Sequence, residues 1–369
     1  YSEKYGSATR ELFAQFMIRI YEEIPSSLLA NFSTLKNLQA TNFLRFRNHF
    51  RAKLGRAFMI PASTFDNVRG VFPIGFFIWN LTFNETYIDA FDNNGIFMFK
   101  KLIASYDSES KIINWLRRYY DKESTPIAYL QMVGTDIQHN NCVFISNHLS
   151  ENDIKKCLFT NITAHNLIPT CIYMVLRKVI SPTWYNDRDQ YIHPNNKWSE
   201  DIIFQSDCLV YALYVNTISS QYGINHWIPF TEEEVGAQEC FKSHFMNDYI
   251  SGRHHIVHNN NTDLFSFEEE NPRSDLVIQF STEATAVMDA GRELWRYYHV
   301  QPNANPNASL YDIKMHFQGT KTLKSGKVQM NSNSDDTHYT ELIGNLRLSL
   351  KLLAARIEPK VYEYGFLKR

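Results

Sequence analysis

The sequence predicts an α/β unit at the N-terminus followed by a mainly helical C-terminal region. Three observations carry this. Helix-period stretches at residues 11–24 and 42–54 alternate with short apolar runs at 28–32, 57–60 and 72–81, the order of a layered α/β sheet. Beyond residue 199 the apolar residues recur mostly at helical spacing. The 369 residues, 44% hydrophobic and 14% aromatic, suffice for two or three domains at roughly 150 residues each. The divisions expected are 1–108 for the α/β unit, 109–185 for a connecting α/β region and 186–369 for the helical region.

In chain order, residues 11–24 place Leu12, Phe13, Phe16, Ile20 and Ile24 at helical spacing, and Pro25 precedes the short strand at 28–32. This alternation predicts a mixed or parallel sheet. Residues 42–54 set Phe43, Phe46 and Phe50 on one helix face, with Arg45, Arg47, Arg51 and Lys53 largely elsewhere and Gly55 as the C-terminal stop. Residues 57–60 and 72–81 read as two buried strands joined by the polar loop 63–70, and a loop held by core strands is where sites are built. Asn94-Gly95 predicts a two-residue turn between strands in 85–105, because both positions tolerate positive φ. A short helix is expected at 111–120, strands within 127–147, and helix from 154 to 180 with Ile168, Ile172, Val175 and Val179 on its apolar face, ended by Pro182.

In 184–191, Asp187, Arg188 and Asp189 lie between aromatic residues. They suit a buried ion-pair junction between domains or a DNA contact by Arg188, and the flanking acids favour the junction because they repel phosphate. Further helices are expected at 202–217, from Thr231 with its three glutamates, at 280–299 and at 339–357. Residues 254–261, 301–307 and 321–337 lack periodicity and are expected to be mobile.

Composition excludes several functions. The net charge of −2 gives no global attraction to nucleic acid, so any DNA contact has to come from local basic patches. Five cysteines without a Cys-x-x-Cys pair predict free thiols in a reduced, cytoplasmic protein without zinc. His254 and His258 stand four apart, but the asparagines after them read as loop, so no metal is expected there. No apolar run reaches the ~20 residues of a membrane span, and no membrane partner is expected. Pro359 separates Glu358 from Lys360 and no strand acid completes a metal site, which argues against a nuclease. No Ser, Cys or His sits in the strand–turn context of a catalytic triad.

Residues 9–24 (TRELFAQFMIRIYEEI), 28–36 (LLANFSTLK) and 42–81 (NFLRFRNHFRAKLGRAFMIPASTFDNVRGVFPIGFFIWNL) together resemble the second half of the catalytic domain of bacterial adenine-specific DNA methyltransferases of restriction–modification systems. In that family the stretch after the Asn-Pro-Pro-Tyr catalytic loop runs through the same helix, strand, helix and closing antiparallel strand pair. The likeness covers residues 1 to about 85. The runs SPTWYNDRDQY, GINHWIPFTEEEV, AGRELWRYYH and EPKVYEYGFLKR are similar to the C-terminal region of one large bacterial subgroup and carry no identified chemistry.

The resemblance implies an incomplete Rossmann-like methyltransferase sheet, S-adenosylmethionine as cofactor of the whole enzyme, double-stranded DNA as substrate, and a restriction or specificity subunit as protein partner. The reaction implied is methyl transfer to the exocyclic amine of adenine in a specific DNA sequence. The chain has no Gly-x-Gly and no two adjacent prolines, so the family's methyl-donor and catalytic motifs are both missing. The expectation is a fragment that starts just after the catalytic loop, holds no catalytic residue and is inactive alone.

The target-base pocket implied by the family consists of Phe65, Asn67, Phe72 and Pro73, with Phe65 as the stacking ring. The plain alternatives are a loop anchor for Phe65 and a core residue for Phe72. Lys36, Arg45, Arg47, Arg51, Lys53 and Arg56 form the densest cationic run, suited to DNA phosphates or to a solvated helix face. The alternative function, from another class, is a non-catalytic DNA-specificity or subunit-assembly module.

Overall fold

The first apolar segments pack on one another. In the computed structural model, which describes residues 2–68, 70, 72–84, 111–133, 142–181, 184, 191–253, 278–324, 326 and 328–367, these segments form a core of their own between Tyr5 and Leu81. Its elements are α1 (Ser2–Tyr5), α2 (Leu12–Glu23), β1 (Leu28–Thr34), α3 (Lys36–Gln39), α4 (Leu44–His49), β2 (Lys53–Pro61) and β3 (Pro73–Asn80). The strand order is β1-β3-β2, and both pairings are antiparallel. The parallel or mixed sheet expected from the alternating order is not found among the described residues. β3 turns back after β2 and inserts beside β1, which keeps the two strands of like direction apart.

Two local expectations are corrected here. α4 ends at His49, and Phe50 turns extended, because residues 53–61 are claimed by the ladder with β3. Gly55 is therefore no helix stop; it lies in β2 where the register shifts between Leu54 and Arg56. On α2 the buried residues are Ala14, Met17 and Ile18, while Leu12, Phe16 and Ile24 are exposed. Ring contacts set that rotation: Phe13 stacks on Phe43 at 5.7 Å and Tyr21 packs on Phe50 at 4.9 Å.

A second core runs from Ile112 to Leu367. It contains α5 (Ile112–Arg117), β4 (Ala128–Met132), β5 (Val143–Ser146), α6 (Glu151–Lys156), β6 (Leu158–Ile162), α7 (Leu167–Val179) and α8 (Ile202–Val215). The chain continues through α9 (Glu232–Val235), α10 (Phe245–Ile250), α11 (Thr282–His299), α12 (Leu310–Gln318), the small, mostly exposed hairpin β7 (Thr320–Thr322) and β8 (Val328–Met330), which adds nothing to this core, and α13 (Thr337–Glu363). The sheet β5-β4-β6 is antiparallel throughout. α7 is buried on nearly every side, as a helix between a sheet and other helices must be. Residues on both sides of position 185 share this core, and Ile192 N donates to Phe366 O at 2.9 Å. The division expected at 185 therefore does not coincide with a division of the core.

The single helix expected over 154–180 is three elements, because Leu158–Ile162 alternates and pairs with β4, while Ser150 and Asp153 close a capping box on α6. Residues 301–307 are held, contrary to expectation: Asn307 is buried, accepts from Asn225 N at 3.0 Å and donates to Gly223 O at 2.9 Å. Residues 321–337 carry part of the β7–β8 hairpin and the N-cap of α13. α13 continues past 357 through Pro359, with the Ala355 carbonyl that loses its helical donor on an exposed residue. The Asn94-Gly95 turn, Pro182, Asp187, Arg188, Asp189 and the pair His254 and His258 lie outside the described residues. No helix among the described residues is long and apolar enough to cross a membrane.

Candidate functional site

The first sheet buries one face and leaves the other open. Along β3, Pro73, Gly75, Phe77 and Trp79 are buried against the helices, while Ile74, Phe76, Ile78 and Asn80 are only partly covered. The register places Phe32 and Phe58 on either side of Phe76, so three phenylalanines lie in a row across three strands. Ring centroids are 4.7 Å apart for Phe32 and Phe76 and 5.1 Å for Phe58 and Phe76. Phe32 and Phe58 are 47% and 49% exposed, an unusual state for large aromatic side chains in a sheet.

The loop between β2 and β3 closes on this row. Phe65 meets Phe32 edge-on at 5.5 Å, with an interplanar angle of 78°. The loop is pinned by Ala62 N donating to Phe72 O at 2.9 Å and Phe65 N donating to Ala62 O at 3.1 Å. Asn67 turns the chain in the left-handed region, at φ 64°, where asparagine is one of the few tolerated residues. Gly75 permits the close packing beneath: a Cβ there would lie 2.2 Å from Phe77 Cζ and 2.9 Å from Leu35 Cδ2.

Of the four pocket residues expected, the structure therefore brings Phe65 onto the aromatic row and gives Asn67 and Phe72 the geometry of the loop. Pro73 is buried on the opposite face of β3 and sits across from Pro61. The residues that sequence reasoning missed are Phe32, Phe58 and Phe76. Their signal was the alternation of Ile74, Phe76 and Ile78 with Gly75, Phe77 and Trp79, which assigns them to separate faces.

The cationic run is less uniform than it reads. Lys36 Nζ is paired with Glu11 Oε1 at 2.7 Å, and Lys53 Nζ lies 5.1 Å from the Phe83 ring centre. Arg47 is buried and donates from Nη1 to Ala40 O at 2.8 Å, so it braces the α3–α4 turn rather than facing solvent as the sequence reading placed it. Arg45 is exposed and Arg51 half-buried. Arg56 is exposed, pairs in register with Ile78, and so shares the face of the aromatic row two residues from Phe58.

Other chemistry is weaker. No group of three metal-ligating side chains exists among the described residues. His226 Nδ1 lies 2.7 Å from Ser243 Oγ, but that oxygen also accepts from the backbone N of Phe245, the first residue of α10, which gives the serine a structural partner. Burial pushes the thiols of Cys171 and Cys208 up, so neither is a ready thiolate. S-adenosylmethionine does not fit the residues of the open face: they offer no glycine turn, and the acid described in the loop, Asp66, is exposed to water. Comparison with known protein families, characterised proteins and solved structures gives no match.

Proposed function

We propose that the chain is the base-holding part of an adenine-specific DNA methyltransferase of the restriction–modification type, and that its first sheet is the end of a Rossmann-like methyltransferase sheet. The observation that supports this best is the solvent-open row Phe32, Phe76 and Phe58, with Phe65 brought onto it by the β2–β3 loop. An enzyme that modifies a base inside a duplex has to extrude that base and hold it by ring stacking and edge contacts. An aromatic face is suited to this, since stacking one base on an aromatic side chain contributes about 1–3 kcal/mol. Phe65 is the stacking ring, its orientation set by Phe32; Arg56 beside Phe58 receives a backbone phosphate.

On this reading the binding site of the methyl donor and the loop that holds the adenine amine are supplied by other residues, because neither motif occurs in the sequence. The chain alone is then expected to incorporate no labelled methyl group into DNA above a boiled control. The whole enzyme carries the decisive test: its gene, expressed in a host without DNA methylation, should leave N6-methyladenine in one fixed sequence context on single-molecule sequencing. Phe65→Ala should lower kcat with little change in KM for the methyl donor. A genome without such a context, or undiminished methylation by the Phe65 variant, refutes the assignment. Among the described residues, the reading as a subunit-assembly module is favoured by the outer face of α13.

A further inference from the structure

Two observations coincide on the outer face of α13. Leu348 and Leu352 are 59% and 55% exposed. Gly344 and Ala355 continue the same stripe, both exposed, and a Cβ built on Gly344 would meet nothing within 4 Å. The core side of the helix is held by Tyr339, Ile343, Leu346, Leu353, Ile357 and Val361, so the leucine stripe is the opposite side.

Alongside the stripe stand three cations. Arg347 and Lys351 are exposed and spaced i,i+4, and Lys314 of α12 is half-buried next to Arg347. The ion pairs of α13 are made by His338, Arg356 and Lys360, and none reaches these three among the described residues. Like charges at i,i+4 cost about 0.2–0.5 kcal/mol. Burial lowers the Lys314 ammonium below its ordinary range, and the Arg347 charge adds to that. The exposed acids of α13 nearest this face are Glu341, 3.9 Å from His338, and Glu358, two turns past Lys351; between them the three cations form a net positive row beside an open apolar stripe, out of keeping with a chain of net charge −2.

We propose that this face of α13 receives an acidic amphipathic helix of a partner polypeptide, with apolar residues on Leu348 and Leu352 and carboxylates on Arg347, Lys351 and Lys314. Helix-on-helix recognition uses such anchors one turn apart. Charge complementarity selects an acidic partner. Duplex DNA fits less well, because phosphates would satisfy the cations and leave both leucines against a polar backbone. A second copy in antiparallel pairing about Leu348 and Leu352 would bring the two basic rows together on one side of the contact. The inference stands apart from the methyltransferase reading.

The test uses the full chain and three fluorescent probes: a synthetic peptide of about three heptads with leucines on one face and glutamates flanking them, its scrambled isomer, and a short DNA duplex. Anisotropy should show saturable binding of the amphipathic peptide and none of the scrambled one. Leu348→Ser with Leu352→Ser should weaken it by about tenfold or more. Arg347→Gln with Lys351→Gln should weaken it and flatten its salt dependence. These side chains are exposed, and an unchanged circular dichroism spectrum confirms the fold of each variant. The proposal is overturned if the peptide does not bind, if only the duplex binds and loses affinity with the Arg347 and Lys351 changes, or if sedimentation shows a dimer that the leucine changes abolish.

Discussion

Replacing Gly291 by alanine reverses the usual sign of that substitution in a helix. Position 291 lies inside α11, where alanine ordinarily stabilises by about 1 kcal/mol relative to glycine. Here the new Cβ would lie 2.2 Å from Tyr214 Oη, 2.5 Å from Cε1 and 2.6 Å from Cζ. Tyr214 cannot retreat. Its ring is buried, its hydroxyl is directed to Met288 Sδ at 3.6 Å, and it meets Trp295 edge-on at 6.1 Å. Overpacking of this kind costs about 1–3 kcal/mol and more where backbone has to shift. The helical gain of about 1 kcal/mol offsets part of it, leaving Gly291→Ala destabilising by up to about 2 kcal/mol.

Urea denaturation followed by tryptophan fluorescence measures the sign. In a Tyr214→Ala background, itself costly by about 3–5 kcal/mol as a truncated buried aromatic, the same Gly291→Ala change should become stabilising by about 1 kcal/mol. A wild-type background in which Gly291→Ala raises the urea midpoint refutes the steric argument, because helix propensity alone would then decide the site.

Further outcomes are expected elsewhere. Burial alone would raise the Asp121 carboxyl, but hydrogen bonds from Ser124, Thr163 and Glu123 hold it at about 2, against an ordinary 3.8. Its contribution is therefore present above pH 4 and is lost as pH falls toward 2; Asp121→Asn should cost about 1–2 kcal/mol at pH 7, after allowance for solvent screening, and almost nothing at pH 2 in thermal melts. Arg47→Ala should cost about 1–3 kcal/mol in urea unfolding, by removing the buried guanidinium's hydrogen bond to the Ala40 carbonyl, which keeps only Phe43 N as donor, and should leave the salt slope of DNA binding unchanged. Arg56→Glu should do the reverse, weakening DNA binding by the whole enzyme for all sequences alike and shrinking the salt slope by about one unit; equal slopes for the two variants would refute the division between bracing and contacting arginines.

What was legible in the sequence was what depends on short range. Thr231 and Glu234 form the capping box that the sequence announces, and Ser281 caps α11 where that helix was expected to start. The strand pair around 57–60 and 72–81 is present, antiparallel and longer by a few residues on the β2 side. What was not legible depends on partners distant in the chain. The rotation of α2 follows from Phe43 and Phe50, which periodicity within α2 cannot contain. Residues 301–307 look loose because they have no apolar period, yet Asn305 and Asn307 fasten them to residues 220–225 through side-chain amides. The aromatic row needed the register of three strands before its members could be seen as neighbours. Arg47 belongs to the same class: its charge argued for a surface that its neighbours do not give it.

The outer position of β1 has a consequence for handling the protein. Among the described strands it pairs on one side only, and its seven residues, LLANFST, include neither a charge nor a proline. Leu28 and Phe32 on it are open to water. Natural sheets guard such margins with lysine, proline or a bulge, and an unguarded margin recruits strands from other molecules. In concentrated preparations the onset of turbidity should then be governed by this one strand rather than by the pI, and Ala30→Lys should raise the concentration at which light scattering begins while leaving the melting temperature nearly unchanged.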